Sequence, residues 1–275
     1  MRSRLAILIV SSVISAPLTT ASAGSDGGAF NVPCPYSHSL RDDPIVYPGD
    51  PGASHLHDFS GNESTDAFSR TRRLIRRPTT CRLSDDTAAY WIPALYSDGR
   101  KVEPISSTAY YGGQNNFVDP STVVAPPRGF RMIGGYSSTG TSKPSLDMGK
   151  VFWECDGDAP QYERPPTDCN RTIELDVRFP FCWDGEHKDS EDHRAHVVYP
   201  TEQDAGCPDD HPVAIPRLRL RVEYAITDGS TITFSSGAWW TVHADFWNAW
   251  HQATFQRLVR DCIAANVSCG RQIDP

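Results

Sequence analysis

Eight cysteines constrain this chain more than any other feature: Cys34, Cys81, Cys155, Cys169, Cys182, Cys207, Cys262 and Cys269. All of them lie beyond an N-terminal stretch, residues 1–23, that reads as an export leader. Arg2 and Arg4 form its basic start, Leu5 to Ile14 its apolar run, and Ala21-Ser22-Ala23 a small-residue cleavage site. The apolar run is short for a bilayer crossing, and no later stretch approaches the roughly 20 residues that a spanning helix needs. The expectation is therefore a secreted, extracellular chain with no membrane span. In an oxidising compartment an even cysteine count reads as four disulfides. Eight cysteines allow roughly a hundred connectivities. Sequence proximity favours Cys155–Cys169, Cys182–Cys207 and Cys262–Cys269, which leaves Cys34 for Cys81. None shows the CxxC spacing of a zinc finger, so structural bridges are the expected role.

Without the leader, 252 residues remain, read as one secreted domain over 24–275. They carry 24 basic and 34 acidic residues, a formal net charge of −10. Nucleic acid and anionic membranes reward basic surfaces, so neither is an expected partner. An acidic polysaccharide in a locally basic cleft stays open, because "RTRRLIRR" (70–77) could line one.

Scattered prolines and glycines cut the chain into short pieces. Several are β-branched, aromatic or alternating: "AAYWIPALY" (88–96), "GFRMIGGY" (129–136), "KVFWEC" (150–155), "TIELDVRF" (172–179), "LRLRVEYAI" (218–226) and "STITFSS" (230–236). In "LRLRVEY" every second residue is apolar, the period of a half-buried strand. The one helical candidate runs from Ala244 to Val267, where Phe246, Trp250, Phe255, Leu258, Val259 and Cys262 recur at three- and four-residue spacing. This predicts a mainly β fold: a β-sandwich or jelly-roll-like single domain with long loops, a C-terminal helix and disulfides, expected to be a monomer.

Six of the nine histidines fall into three groups with acids beside them. His55 and His57 are followed by Asp58, and on an extended strand the two imidazoles would share a face. Asp189, Asp192, His193 and His196 form a second group; a helical turn there would align Asp189, His193 and His196. His243, Asp245 and His251 form a third, in which His243 and Asp245 share a face if a strand runs through them. Such groups suit a metal site, where neutral imidazoles and carboxylates converge from separate segments. They equally suit acid–base chemistry, where a carboxylate fixes an imidazole tautomer. No G-x-S-x-G elbow, H-E-x-x-H helix, phosphate loop or calcium loop is present. The many aromatics are mostly core, though a few beside polar loops could stack on sugar rings, and "FCWDGEHKD" (181–189) joins Trp183 and Asp184 to the second histidine group. Asn-x-Ser/Thr triplets occur at Asn62, Asn170 and Asn266.

Taken together, "DPIVYPGDPGASHLHDFSGN", "YWIPALYSDG", "PRGFRMIGG", "FPFCWDGEHKDSEDHRAHVVYP", "CPDDHPVAIPRL" and "VHADFWNAWHQATFQRLVRDC" stand in an order and spacing that resembles a secreted family, domain-of-unknown-function family nineteen-ninety-six, over about residues 31–263. Members are exported, and some carry added cell-wall or carbohydrate-binding modules, so the resemblance implies work at a polysaccharide or cell-wall glycan. Its recurring polar positions fall on His55, His57, Trp183, Asp184, Asp189, His193, His196, His211, His243 and Asp245. The stretch "SSGAWWTVH" departs from the family's longer Gly- and Asp-containing loop, which puts in doubt any ligand role for residues 235–242.

Three functions are compatible with this reading. The first is a polysaccharide-cleaving enzyme, hydrolase or lyase, with His57, Asp189, His193, His196, His243 and Asp245 as catalytic candidates. His55, Trp183, Asp184 and His211 would then contact substrate. The second is a non-catalytic carbohydrate- or cell-wall-binding module. The third is a secreted metal-binding protein in which His55, His57, His193 and His243 hold a divalent metal such as zinc.

Overall fold

A computed structural model describes residues 27–113, 117–136, 145–200 and 206–270; the leader expected over residues 1–23 lies outside them. Two antiparallel sheets dominate. The five-stranded sheet runs in the order Tyr36–Leu40, His57–Gly61, Ala89–Pro93, His243–Trp247, Arg131–Gly135. The seven-stranded sheet runs Asp158–Tyr162, Val151–Cys155, Ile173–Arg178, Arg217–Tyr224, Ser106–Gly112, Ala29–Pro33, Ser268–Gly270, and only its last pair is parallel. The fold is mainly β, with several sheets, one C-terminal helix and four disulfides.

The strands lie where alternation or β-branching placed them. In Arg217–Tyr224 every second residue is buried, as its period of two requires. Leu218, Leu220 and Val222 face the other sheet, and their alternates Arg219 and Arg221 carry ion pairs to Asp176, with Arg221 also bridging Glu154. Between the sheets, Tyr90, Ile92, Met132, Ala244 and Phe246 share one core with Trp153, Leu175, Val177 and Leu220.

The five-stranded sheet is covered on its other face as well. There Phe59, Ala89, Trp91, Ile133 and Trp247 pack with Ile45 and Leu74, from the loop before His57 and the short helix Thr71–Leu74. Burying both faces explains why His57–Gly61, Ala89–Pro93 and His243–Trp247 are buried at every position. It also corrects the helix expected over 244–267. With both faces covered, "HADFW" is buried at every position although it carries His243 and Asp245, so the helix-like spacing of Phe246 and Trp250 carries no information there. The helix begins only at Gln252, runs to Leu258 and continues as a π-helical turn over Val259–Ala264.

The bridges are the three that proximity suggested, Cys155–Cys169, Cys182–Cys207 and Cys262–Cys269, and the remaining pair, Cys34–Cys81. Asn62 is fully buried, and its amide donates to the carbonyls of Leu74 and Thr87, so this triplet is a structural turn and not a glycan acceptor.

Candidate functional site

His57 and His243 each open a strand of the five-stranded sheet. Those two strands flank Ala89–Pro93, and both run antiparallel to it. The ladder pairs His57 with Pro93, and it pairs both Phe59 and Asp245 with Trp91. His57 and His243 therefore start at the same end of the sheet, in register across Pro93. Asp245, two residues beyond His243, projects from the same outer face. The loop from Arg41 to Leu56 folds over that face and brings down His55 and Asp43.

The result is a tight imidazole cluster. Ring centroids of His55 and His57 are 4.2 Å apart, those of His55 and His243 5.2 Å, and those of His57 and His243 5.7 Å. His57 is completely buried, and its Nδ1 lies 2.9 Å from the Asp42 carbonyl. A carbonyl only accepts, so His57 Nδ1 carries the proton and donates, leaving Nε2 with a lone pair. His243 repeats the pattern, with Nδ1 3.2 Å from the Thr241 carbonyl and Nε2 3.8 Å from Asp245 Oδ2. Nε2 of His55, Nε2 of His57 and both carboxylate oxygens of Asp245 are buried with no hydrogen-bond partner among the described residues.

Electrostatics follow from this burial. Desolvation holds the His243 imidazole down at about 3, assisted by the neighbouring His55. Desolvation and Arg41 bring His55 to about 4. His57 is depressed well below its ordinary range by burial, then by its two neighbours. The opposite holds for the acids. Burial, reinforced by Asp43, raises Asp245 well above the usual carboxylate range, against the pull of Arg194. Burial also raises Asp43, although its Oδ1 accepts from the amides of Ile45 and Val46. Two overlapping triples can hold a cation: His55, His57 and His243, or Asp43, His57 and Asp245, each with its donor atoms within 4.8 Å of one another. The third such triple, Cys34, Cys81 and Asp86, is disqualified because its sulfurs are bridged.

The cluster floors a cavity of about 300 Å³, whose walls include Tyr47, His55, Asp192, His193, Arg194, His243 and Asp245. The 189–196 segment is a series of turns and not the helical turn considered above. Asp192 organises it by accepting from the amides of Arg194 and Ala195 and from the Ser190 hydroxyl, which lowers its carboxyl to about 2. His193 sits in the left-handed region at φ 60° and points Nδ1 at Asp189 Oδ1, 2.9 Å away. Asp189 is held in turn by Arg131 at 2.8 Å, and the Arg131 guanidinium lies 3.9 Å over the Trp247 ring. Nη2 of Arg194 is buried without a partner among the described residues.

Of the sequence candidates, His55, His193, His243 and Asp245 line this cavity, His57 and Asp189 do not line it but contact residues that do, and four others stand apart from it. His196 is buried against Phe130, with one ring nitrogen 2.9 Å from the Ser190 hydroxyl and the other 2.7 Å from the Arg131 carbonyl, so both are occupied. Trp183 donates through Nε1 to the His187 carbonyl. Asp184 caps the same turn by accepting from the amides of Glu186 and His187. His211 bonds the Ala195 carbonyl through Nε2. These four brace the turns behind the cavity wall, and none lines the cavity. His193 is in the wall but outside both cation triples. Conversely, sequence reasoning passed over Asp43 and Arg194. Asp43 stands in "RDDPIVYPGDPG", where an Asp-Pro turn signal was the only local clue.

No curated protein and no solved structure matches the chain. A family model does, over residues 43–250, which span both ladder histidines, the covering loop and the His193 turn. The chain that builds this cavity belongs to the family described as Domain of unknown function (DUF1996).

Proposed function

We propose that the chain is a secreted enzyme that cleaves an anionic polysaccharide, and that the bond is broken in the cavity on the outer face of the five-stranded sheet. The observation carrying this reading is the company that His193 keeps there. Its Nδ1 is committed to Asp189, which leaves Nε2 as the basic atom of an oriented His–Asp pair. Beside it the Arg194 side chain lines the same cavity, and its buried Nη2 has no partner among the described residues. A base next to a cation is what β-elimination of a uronate needs. Arg194 neutralises the sugar carboxylate, which acidifies the proton on the adjacent carbon. His193 takes that proton, and the electron pair forms the new double bond as the glycosidic oxygen leaves, picking up a proton.

Hydrolysis by paired carboxylates fits less well. Burial raises both Asp43 and Asp245, the acids at the cavity floor, and so disfavours the ionised carboxylate that a glycosidase nucleophile or base requires. The surroundings suit a polyanion despite the acidic chain. A groove lined by Pro48, Phe68, Arg70, Arg131 and Trp247 adjoins the covering loop, and Arg70 also belongs to a depression lined by Arg72, Arg73, Arg76 and Arg77.

The test incubates purified secreted protein with uronate-containing and neutral polysaccharides. Ultraviolet absorbance of unsaturated ends and new reducing ends are followed together. Both signals on a uronate polymer, abolished in His193→Gln and Arg194→Gln with unchanged melting, are the expected result. Reducing ends without unsaturation would replace elimination by hydrolysis. Binding to the polymer with neither signal would make the chain a binding module and overturn the proposal.

A further inference from the structure

The cluster beneath the cavity wall contains groups that the elimination step leaves unused: His55, His57, His243 and Asp245. We propose that these four hold one divalent first-row transition-metal ion, bound by three imidazole nitrogens and a carboxylate oxygen. The inference goes beyond the glycan reading, because it stands on the donor set alone.

The argument begins with what converges there. His57 and His243 both have Nδ1 turned to a backbone carbonyl, so both present a bare Nε2 lone pair. Asp245 adds two buried oxygens that accept no hydrogen bond among the described residues. These converging atoms are acceptors, and His55 adds a third ring nitrogen within 4.8 Å of those of His57 and His243. One proton on Asp245 satisfies one acceptor, and a single water has only two hydrogens to donate. Each buried acceptor left unmet costs about 1–3 kcal/mol. One cation meets four of these five acceptors together, the three ring nitrogens and one Asp245 oxygen.

The second argument is the way the ligands are held. A metal-binding imidazole characteristically donates its far N–H to a carbonyl or carboxylate, which fixes the ring and its tautomer. Asp42 and Thr241 supply those carbonyls, and Asp42 is itself anchored, its carboxylate accepting from the amides of Gly52 and Ala67. Around a tetrahedral ion with bonds of about 2.0–2.1 Å, neighbouring donors stand roughly 3.3 Å apart. Spacings within 4.8 Å close to that value by small ring rotations. A set of nitrogens with one carboxylate selects zinc-like ions over calcium or magnesium, which take oxygen. His193, a ligand candidate on sequence, is left out because its Nδ1 is committed to Asp189 and it belongs to neither cation triple.

The experiment titrates the full secreted protein, stripped by a chelator, with ZnCl₂, CoCl₂ and CaCl₂. One zinc per chain, a higher melting temperature with zinc but not calcium, and visible ligand-field bands with cobalt are expected. The conservative variants His57→Gln, His243→Gln and Asp245→Asn are compared by their zinc-free melting curves. Losing an orienting partner already weakens metal affinity about 10–100-fold, so losing a ligand is expected to weaken zinc binding at least about 100-fold. Failure of the wild-type protein to take up zinc or to develop cobalt bands would overturn the proposal without reference to any variant. So would undiminished zinc affinity in folded His57→Gln and His243→Gln. Zinc uptake with no polysaccharide cleavage leaves the metal centre standing and removes only the enzyme.

Discussion

Asp86 offers a test of the core that is independent of the cavity. It is completely buried, and its Oδ2 accepts from the Tyr90 hydroxyl at 2.8 Å. Tyr90 and Tyr111 share a hydrogen bond of 2.5 Å, and Trp250 Nε1 donates to Tyr111 at 3.1 Å. This chain stitches the loop after Cys81 to both sheets and to the start of the C-terminal helix. Burial pushes the Asp86 carboxyl up to about 8, against the hydrogen bonds from Tyr90 and the Ala88 amide. An unfolded aspartate gives up its proton near 3.9. Between those two values the folded chain keeps a proton that the unfolded chain has lost, so stability falls as pH rises. The slope from this one group is about 1.4 kcal/mol per pH unit. The contribution is complete below about pH 4 and lost above about pH 8, a total on the order of 5 kcal/mol. Asp86→Asn keeps an acceptor for Tyr90 and removes the titration. Thermal and urea unfolding of both proteins from about pH 4 to 8 is the assay. The variant should lose ground at the acid end and gain at the alkaline end. The change in the difference between the two melting temperatures should be on the order of 10–20 °C across that range, at about 2–4 °C per kcal/mol. Other titrating groups are common to both proteins and cancel. Parallel pH profiles would refute the claim that Asp86 is buried as the neutral acid.

Two structural predictions rest on equally local features. Replacing Cys182 and Cys207 together by serine opens a loop with a sequence separation of 25, which should lower stability by about 3–4 kcal/mol; a urea midpoint unchanged from wild type would contradict it. Gly134→Ala would place a Cβ 2.8 Å from the Arg178 carbonyl and 3.0 Å from the Phe179 ring. Overpacking of this kind should cost about 1–3 kcal/mol, read as a lower melting temperature, and a neutral result would mean that the sheets have room to part there.

The disulfides were legible because each closing partner lies near in sequence, at separations of 7, 14 and 25 for three of them. Strands such as Arg217–Tyr224 were legible because one face meets the core and the other meets solvent. Strand His243–Trp247 was legible only as an alternative that puts His243 and Asp245 on one face, because both of its faces are buried and its apolar residues also fit a helical spacing. The same covering hid Asp43. Its role depends on a loop folding back over the sheet, and no spacing near it in sequence reports that. The His193 group misled in part. Its close spacing suggested one shared helical face, whereas turns send His193 into the cavity and His196 behind it to the Arg131 carbonyl.

The cavity combines two kinds of support, and they imply different tolerances. His57, His243 and Asp245 are mounted on a hydrogen-bonded ladder, so their spacing follows from strand register and a slip of one residue would turn all three away. His55, Asp43, His193 and Arg194 arrive on loops, braced by short-range bonds such as those that Asp192 makes to its own turn. Groups on rigid elements keep a geometry to fractions of an ångström, whereas loop-borne groups adapt with sequence. The proposed cation site draws on both kinds, with three ligands on the ladder and His55 on the covering loop, whereas the proposed base and its cation, His193 and Arg194, are both loop-borne. The cavity thus divides into a floor whose His57, His243 and Asp245 are fixed by strand register and a wall whose His193 and Arg194 depend on the bonds that hold their turn.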